Sequence, residues 1–520
     1  MWKKKICNLT LCLLLLLTGC QKKPKVTMDS LKLDFQEGDL PSLHPHALVL
    51  HLRGLAIAKN LFECLTRINA EGQAELAGAK SVDISPDGLL YTFTLRLNKW
   101  SDGTPVTAHQ YENAWKEALS PTSDCARAAL LYVIKNAEEA KKGEVPLERI
   151  GVKAIDAQTL QVELAYPSPY LLELLARPIC APLVDPKKKE PSEFNGPFLV
   201  DTWKREDLLR LKPNPHFWNS SQVLLKQIDI FMIQDTLSTF ALFEKGEINW
   251  IGAPFCPLSV EQIGHLRKNN TLRSHPIDRT FWIFLNTQHP SLASPLIRQA
   301  LSLAVDRSAI TKHILIGGKP LGKPLPISLF GENTSSAVGM NLEEAQKRFE
   351  QGLNALGYTK ATLPPITITY SQQANRKQLA TYLQEVWSKT FGIDVRLQAQ
   401  EWNVLRSNLG KGLFEVTGCF EVALYKDPME FLERFVSINP CNFAQWTFPT
   451  YGETVTSAKK ERDPQRRLEL LGKAEQILTE QVPFIPISTD VLLFEHHPHL
   501  KGYVLDCIGA VDFSYASFSP

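Results

Sequence analysis

Ile366-Thr367-Ile368-Thr369-Tyr370, the stretch 375–391 and Ile393-Asp394-Val395-Arg396-Leu397 read as strand, helix and strand. The outer runs are short, β-branched and aromatic. The middle carries Leu379, Tyr382, Leu383, Val386 and Trp387 at helical spacing and stops at Gly392. A strand–helix–strand unit implies parallel pairing through a right-handed crossover, so the chain is α/β. A second unit of the same kind runs from 228–233 through a helix at 235–245, closed by Gly246, to 248–251. Asn341 is placed to cap a helix bearing Leu342, Ala345, Phe349, Leu353 and Leu356, which Gly357 ends. Further upstream, 31–35 alternates like a strand. Residues 91–97 form a stronger strand entered through Ser85-Pro86-Asp87-Gly88. Residues 108–119 hold Ala108, Tyr111, Trp115 and Leu119 on one helical face. Pro- and Gly-rich stretches at 182–197 and 317–331 read as loops, and more than one sheet is expected.

The amino terminus predicts an address. Met1-Trp2-Lys3-Lys4-Lys5 precedes an apolar run at 9–17 and the exit Leu17-Thr18-Gly19-Cys20. A basic start, a short apolar middle and small residues at the end form a secretory signal. A cysteine at that exit is the acceptor of bacterial lipoproteins, so Cys20 is the expected lipidation site, palmitate included. The apolar run is too short to span a bilayer. Several acyl chains on one terminus anchor firmly, which predicts a body held outside the cytoplasmic membrane by lipid alone. Residues 20–26 read as the lipidated tether after a signal peptide at 1–19.

The chain has 520 residues, more than one ordinary domain. Without the three leader lysines it carries 54 basic against 55 acidic side chains. That balance gives no reason to expect nucleic acid or an anionic surface as partner. Seven cysteines lie beyond Cys20, with no C-x-x-C pair, so neither a zinc nor a redox motif is expected. No nucleophile elbow, H-E-x-x-H, phosphate loop or dinucleotide fingerprint occurs. The best concentration of metal-ligand types is Glu495-His496-His497-Pro498-His499, with His44-Pro45-His46 a weaker one that reads as a turn. Three imidazoles there would suit a transition metal, and a metal-dependent envelope hydrolase using His496, His497 and His499 is the catalytic alternative. The segment otherwise reads as a strand end running into a solvated loop. No enzyme, cofactor or resident metal is expected.

Leu40-Pro41-Ser42-Leu43-His44-Pro45, Asn60-Leu61-Phe62-Glu63-Cys64-Leu65-Thr66 and Trp100-Ser101-Asp102-Gly103-Thr104-Pro105-Val106-Thr107-Ala108 occur in this order. They are followed by Asn195-Gly196-Pro197-Phe198, Asn214-Pro215-His216-Phe217-Trp218 and Gly246-Glu247-Ile248-Asn249-Trp250. Arg298-Gln299-Ala300-Leu301-Ser302-Leu303-Ala304-Val305-Asp306-Arg307, Gln400-Glu401-Trp402, Asp427-Pro428 and Lys501-Gly502-Tyr503 complete the series. With these segments the chain resembles the peptide-binding family of ABC-importer solute-binding proteins, most closely its oligopeptide-binding members. The resemblance implies a two-lobed periplasmic-binding-protein-like fold with hinge strands and an extra domain on the first lobe. By that analogy the first lobe takes 27–60, 190–275 and 485–520, the extra domain 61–189 and the second lobe 276–484. The crossing strands would fall near 279–286 and 483–488.

The resemblance also implies how a ligand is held. An extended peptide lies between the lobes, its backbone paired with strand edges. One edge would be Val49, Leu50 and His51, the other Phe420, Glu421 and Val422, with Trp282 and Trp402 as walls. The departures are specific. The family places Asp where Leu424 stands, Arg where Leu409 and Gly418 stand, and Glu where Val49 stands. A ligand ammonium buried without an anion is costly, so altered recognition of peptide termini is expected, with Glu421 as the substitute anion. The implied partners are an oligopeptide and an ABC permease with its ATPase, the protein itself being a monomer in the periplasmic or extracytoplasmic envelope. Another cargo on the same fold, a metal chelate or a cell-wall peptide, is the runner-up.

Overall fold

The computed structural model describes residues 29–519 apart from 36–37, 49–51, 126, 331–338, 373, 438 and 440. Two strands of 13 residues each, Arg273–Leu285 and Phe484–His496, run antiparallel through the middle of the molecule. On one flank, Trp250–Gly252 pairs with the far end of the second long strand. On the other, Val416–Val422 pairs antiparallel with Arg279–Leu285, and Ile366–Ser371 and Val395–Gln400 continue the sheet in parallel. Those last two strands and the helix Ala374–Phe391 between them are the unit read from the sequence.

The other unit closes differently. Gln227–Phe231 pairs parallel with Ser30–Asp34, and the helix Thr236–Glu244 is capped by Asp235, which accepts from the Ser238 amide. Gly246 then turns the chain at φ 75°, a conformation that favours glycine. Asn249 and Lys32 bind each other (amide to carbonyl 2.8 Å, amide to Oδ1 2.7 Å), which leads the chain out of the first sheet. Trp250–Gly252 joins the second long strand antiparallel instead of returning to its own sheet.

Alternation along the first long strand sorts its side chains between two cores. Phe281, Ile283 and Leu285 enter one with Ile366, Leu383 and Trp387, while Trp282 and Phe284 enter the other with Phe431, Phe435 and Phe484. The sheet is thus buried on both faces. The remaining body holds two four-stranded sheets. One is ordered Ser30–Asp34, Gln227–Phe231, Leu208–Pro213 and Phe198–Lys204; the other Ala79–Ile84, Leu90–Leu95, Thr159–Glu163 and Val152–Ala154. They share one continuous core in which Phe93, Trp100 and Trp115 join Phe35, Phe198 and Trp250.

The long strands carry the chain from that core to the other two. Ile277, Leu492 and Phe494 belong to the first, and Phe281, Ile283, Ile485 and Ile487 to the next. The change falls between 277 and 281 on one strand and between 487 and 492 on the other. It coincides with an irregularity in the ladder between Ile277 and Thr280. Near this junction Asp506 is fully buried and receives both Lys59 Nζ and Arg177 Nη1 at 3.0 Å. Burial alone would raise its pKa, but the two cations outweigh that and hold it below the usual carboxylate range.

Candidate ligand-binding cleft

The strand Val416–Val422 ends the parallel part of the sheet with one edge open. Its amide at the following residue, Ala423, donates to the Asp278 carbonyl at 2.8 Å, toward the first long strand. Main-chain groups alternate in direction along a strand. Glu421 and Cys419 therefore also address that strand, and Gly418, Phe420 and Val422 address the opposite edge. There the neighbouring strand Ile366–Ser371 pairs only at Ile368 with Val416 and Thr369 with Thr417. Beyond that point no strand among the described residues pairs with the edge at 420–422. It lies past the carboxyl ends of the parallel strands, where open α/β sheets form their binding crevices.

Two charged clusters flank this edge on opposite faces. On the Phe420 face, Arg279 lies 4.0 Å and Arg376 4.9 Å from the Phe420 ring centre, and Arg376 is 4.5 Å from that of Phe281. The two rings meet edge to face at 5.0 Å. Arg279 is paired with Asp490, its Nε at 2.6 Å from Oδ2. Arg376 Nη1 is buried with no hydrogen-bond partner among the described residues, and burial pushes its pKa down to about 10. On the Glu421 face, Arg434 binds the Glu421 carboxylate, Glu430 Oε1 at 2.7 Å and the Val422 carbonyl at 2.6 Å. Burial would lower the Arg434 pKa, but the two carboxylates more than reverse this. Arg127, from the body carrying the other two sheets, lies within electrostatic reach of Glu421, Glu430 and Arg434.

The described residues also touch across the junction. Tyr170 stacks on Tyr425 with ring centres 4.1 Å apart. The Lys426 amide donates to Glu173 Oε2 at 2.7 Å, and Lys459 Nζ sits 4.3 Å from the Tyr166 ring centre. The two bodies are therefore closed against each other on this side.

The sequence profile described as "Bacterial extracellular solute-binding proteins, family 5 Middle" matches residues 74–440. The chain belongs to this family. The oligopeptide-binding protein OppA of Bacillus subtilis (strain 168) is 34% identical over 494 residues, 92% of this chain and 90% of that one. A crystal structure described as an oligopeptide ABC transporter substrate-binding domain from Bacillus anthracis str. Ames superposes with a TM-score of 0.79. It is 28% identical and covers 95% of this chain and 99% of that one. The Escherichia coli murein tripeptide binding protein MppA superposes with a TM-score of 0.81 at 27% identity, over 94% and 98% of the two chains. The fold is the two-lobed α/β architecture of these family 5 proteins.

Within that family fold the expected site residues separate. Phe420 and Val422 lie on the open edge. Trp402 is 42% exposed and starts the helix Trp402–Gly410, which follows the parallel strand Val395–Gln400 at the same end of the sheet. Glu401 caps that helix, accepting from the Asn403 and Val404 amides at 2.8 and 3.2 Å. Trp282 is a correction. It is fully buried, stacked 4.2 Å from Phe484 and packed on Phe431 and Phe435, because even-numbered residues of its strand face the core. Glu421 is a second correction, since Arg434 already neutralises it and it is not an unpaired anion awaiting a ligand amine. Leu424 is 6% exposed and packs with Tyr425 into the core that also holds Tyr170. Val49, Leu50, His51 and Cys20 lie outside the described residues.

The three histidines of 496–499 are engaged elsewhere. His496 contacts the Tyr503 hydroxyl at 2.8 Å and the His497 carbonyl at 2.9 Å, His497 Nδ1 accepts from the His499 amide at 3.3 Å, and His499 Nδ1 contacts the Ser519 carbonyl at 2.5 Å. Among the described residues no three metal-ligating side chains are gathered for an ion.

Sequence reasoning missed Arg376, Arg434, Arg127 and Asp278. Asp278 is a buried carboxylate beside Leu424 that accepts from Ser328 Oγ at 2.5 Å. Burial raises its pKa, opposed by that hydrogen bond. Arg376 alone left a trace: a cation in the first turn of a helix opposes the helix dipole and needs another reason to be there.

Proposed function

We propose that this chain is the capture receptor of an ABC importer for oligopeptides. It would hold an extended peptide between its lobes and hand it unaltered to the permease. The observation that carries this reading is the open edge at Phe420–Val422, set at the mouth of the crevice. Main-chain groups there that no described strand pairs with, the Val422 carbonyl held by Arg434 apart, can take up a peptide backbone as an added strand, whatever its side chains. The names of the relatives agree: they bind oligopeptides, a dipeptide or a murein tripeptide. Trp402 is the proposed wall of the cleft, and 49–51 the proposed facing edge. The lobes are proposed at 27–60, 190–275 and 485–520 against 276–484, with 61–189 as the extra domain. A lipid on Cys20 is proposed to hold the monomer on the outer face of a membrane. No helix among the described residues is long and apolar enough to cross one.

Loss of the family's anion at Leu424 and the neutralised Glu421 together predict unusual recognition of the peptide amine. Native mass spectrometry of the purified protein, followed by calorimetry with tripeptides, tests the reading. A co-purifying peptide, and binding that survives acetylation of the amino terminus, is the expected result. Turnover of the peptide, or no binding by any peptide in a random pool, would overturn it.

A further inference from the structure

A cavity of about 210 Å³ opens where the helices Pro295–Leu303, Leu342–Leu356 and Pro464–Gln481 meet the first residues of the strand Phe484–His496. None of the residues lining it belongs to the open edge at 420–422. Leu303, Leu478, Val482 and Phe484 supply its apolar wall, and Ser302 and Arg348 two of its polar groups. Ser302 Oγ accepts from Arg307 Nη2 at 2.7 Å and donates to no described residue, so its O–H is left for a ligand. Arg348 gives Nε to Glu344 at 2.7 Å and Nη1 to Gln299 Oε1 at 2.8 Å, and its Nη2 has no hydrogen bond to a described residue.

Behind that wall the charge is one-sided. Arg298 and Arg307 are 2% and 5% exposed. Arg298 donates to the carbonyls of Leu292, Ala293, Gln481 and Val482. Arg307 donates to the carbonyls of Ser302, Val305 and Pro486 and to Ser302 Oγ. Every one of these partners is neutral, and burial pushes the pKa of both arginines down to about 10. Buried cations bonded only to dipoles leave a positive field around them. Ser302, Val482 and Pro486 take these bonds and also line the cavity. The carboxylates nearby are each answered by a cation. Glu344 is paired with Arg348. Glu475, one turn before Leu478 on the same helix, faces the charge of Lys323, and burial raises its pKa to about 7.

We propose that this cavity is a second ligand site, separate from the cleft, for a small carboxylate carried on a compact apolar body the size of benzoate. An apolar wall with a few convergent polar groups is the usual make-up of a small-molecule site. A dry cavity of about 150 Å³ accepts benzene, so this one has room for a ring and its carboxylate. The carboxylate takes the Ser302 O–H and Arg348 Nη2, since a charged acceptor makes the stronger hydrogen bonds with both. The ring lies against Leu303, Leu478, Val482 and Phe484. The site is independent of what the cleft carries.

Calorimetry and ligand-detected NMR with benzoate and its neutral analogue benzamide test the site on the full chain and on S302A, R348Q, E344Q and L303W. The wild type should bind one benzoate, about tenfold more tightly than benzamide. S302A and R348Q should each weaken benzoate about fivefold and change benzamide less than about twofold, which separates a lost contact from lost folding. E344Q releases Arg348 Nε and should strengthen benzoate, a gain that a purely structural role for Arg348 does not produce. L303W fills the cavity and should remove both ligands; if it does not fold, the other three variants decide. Benzoate should stay bound when a peptide pool saturates the cleft. No benzoate binding, equal affinity for benzamide, binding that survives L303W, or displacement by peptide overturns the site. Each of these leaves the receptor reading intact, which falls only if no peptide binds.

Discussion

Tyr170 and Tyr425 lie ring on ring, 4.1 Å apart and only 8° from parallel, although they belong to opposite bodies of the molecule. The contact joins the two bodies and breaks when the lobes part. It therefore adds to closure and, through closure, to ligand affinity. An aromatic pair contributes about 0.5–1.5 kcal/mol beyond its buried area. Y170A should weaken peptide binding by roughly 3–10-fold, since about 1.4 kcal/mol is tenfold. Tyr170 is 5% exposed and belongs to the core, so Y170A should also lower the melting temperature of the unliganded protein. Small-angle scattering should show a more open unliganded form; unchanged dimensions and affinity would remove the contact from the closing motion.

The two tryptophans expected in the cleft should behave in opposite ways. Trp282 fills a core with Phe431, Phe435 and Phe484, so W282A should cost about 3–5 kcal/mol of stability. Trp402 is 42% exposed, so W402A should stay within about 0.5 kcal/mol in stability while weakening ligand binding. Chemical denaturation and calorimetry on both variants check this. A W402A protein that binds normally would return Trp402 to the ordinary surface.

Glu421 and Arg434 define a third test. E421Q leaves Arg434 with Glu430, and should cost about 1–3 kcal/mol without changing whether the ligand needs a free amine. R434M strands two half-buried carboxylates and should cost more, about 3–5 kcal/mol. Denaturation curves order the two variants. An amine requirement that appears or disappears in E421Q would give that carboxylate back to the ligand.

Glu475 makes stability depend on pH. It is 6% exposed, and burial raises its pKa to about 7, opposed by the Leu325 amide and by Lys323. The unfolded carboxyl ionises near pH 4.3, well before the folded one. At pH 4 the group costs nothing. As pH rises through the unfolded value toward 7 the unfolded state releases its proton first, and stability falls by about 3 kcal/mol. Above pH 7 the loss is complete and constant. E475Q should therefore be more stable than the wild type at pH 8, and the difference between pH 5 and pH 8 should shrink. Parallel denaturation at the two pH values checks the sign.

The parallel unit at 366–397, the Asn341-capped helix and the helices near 108 and 236 were legible because their apolar spacing and caps are local. Trp282 was not, because a fully apolar strand does not say whether one of its faces or both meet a core. The alternation became assignable only once Val416–Val422 and Phe484–His496 stood on either side. The fate of Glu421 was hidden for a related reason. Arg434 is 13 positions away, and only the turn after Asp427-Pro428 folds it back onto the strand end. The 228–251 stretch failed as a paired unit because three residues of strand are too few to outvote a neighbour 240 positions downstream.

The interruption between Ile277 and Thr280 has a mechanical meaning. A regular two-stranded ribbon resists sideways bending, and missing rungs soften it at one place. Among the described residues two long strands cross there, a geometry that would let the halves of the molecule swing like a door on a single pin, along one arc rather than many. Entry and release of cargo would then retrace the same path, and stiffening those few positions would slow both equally.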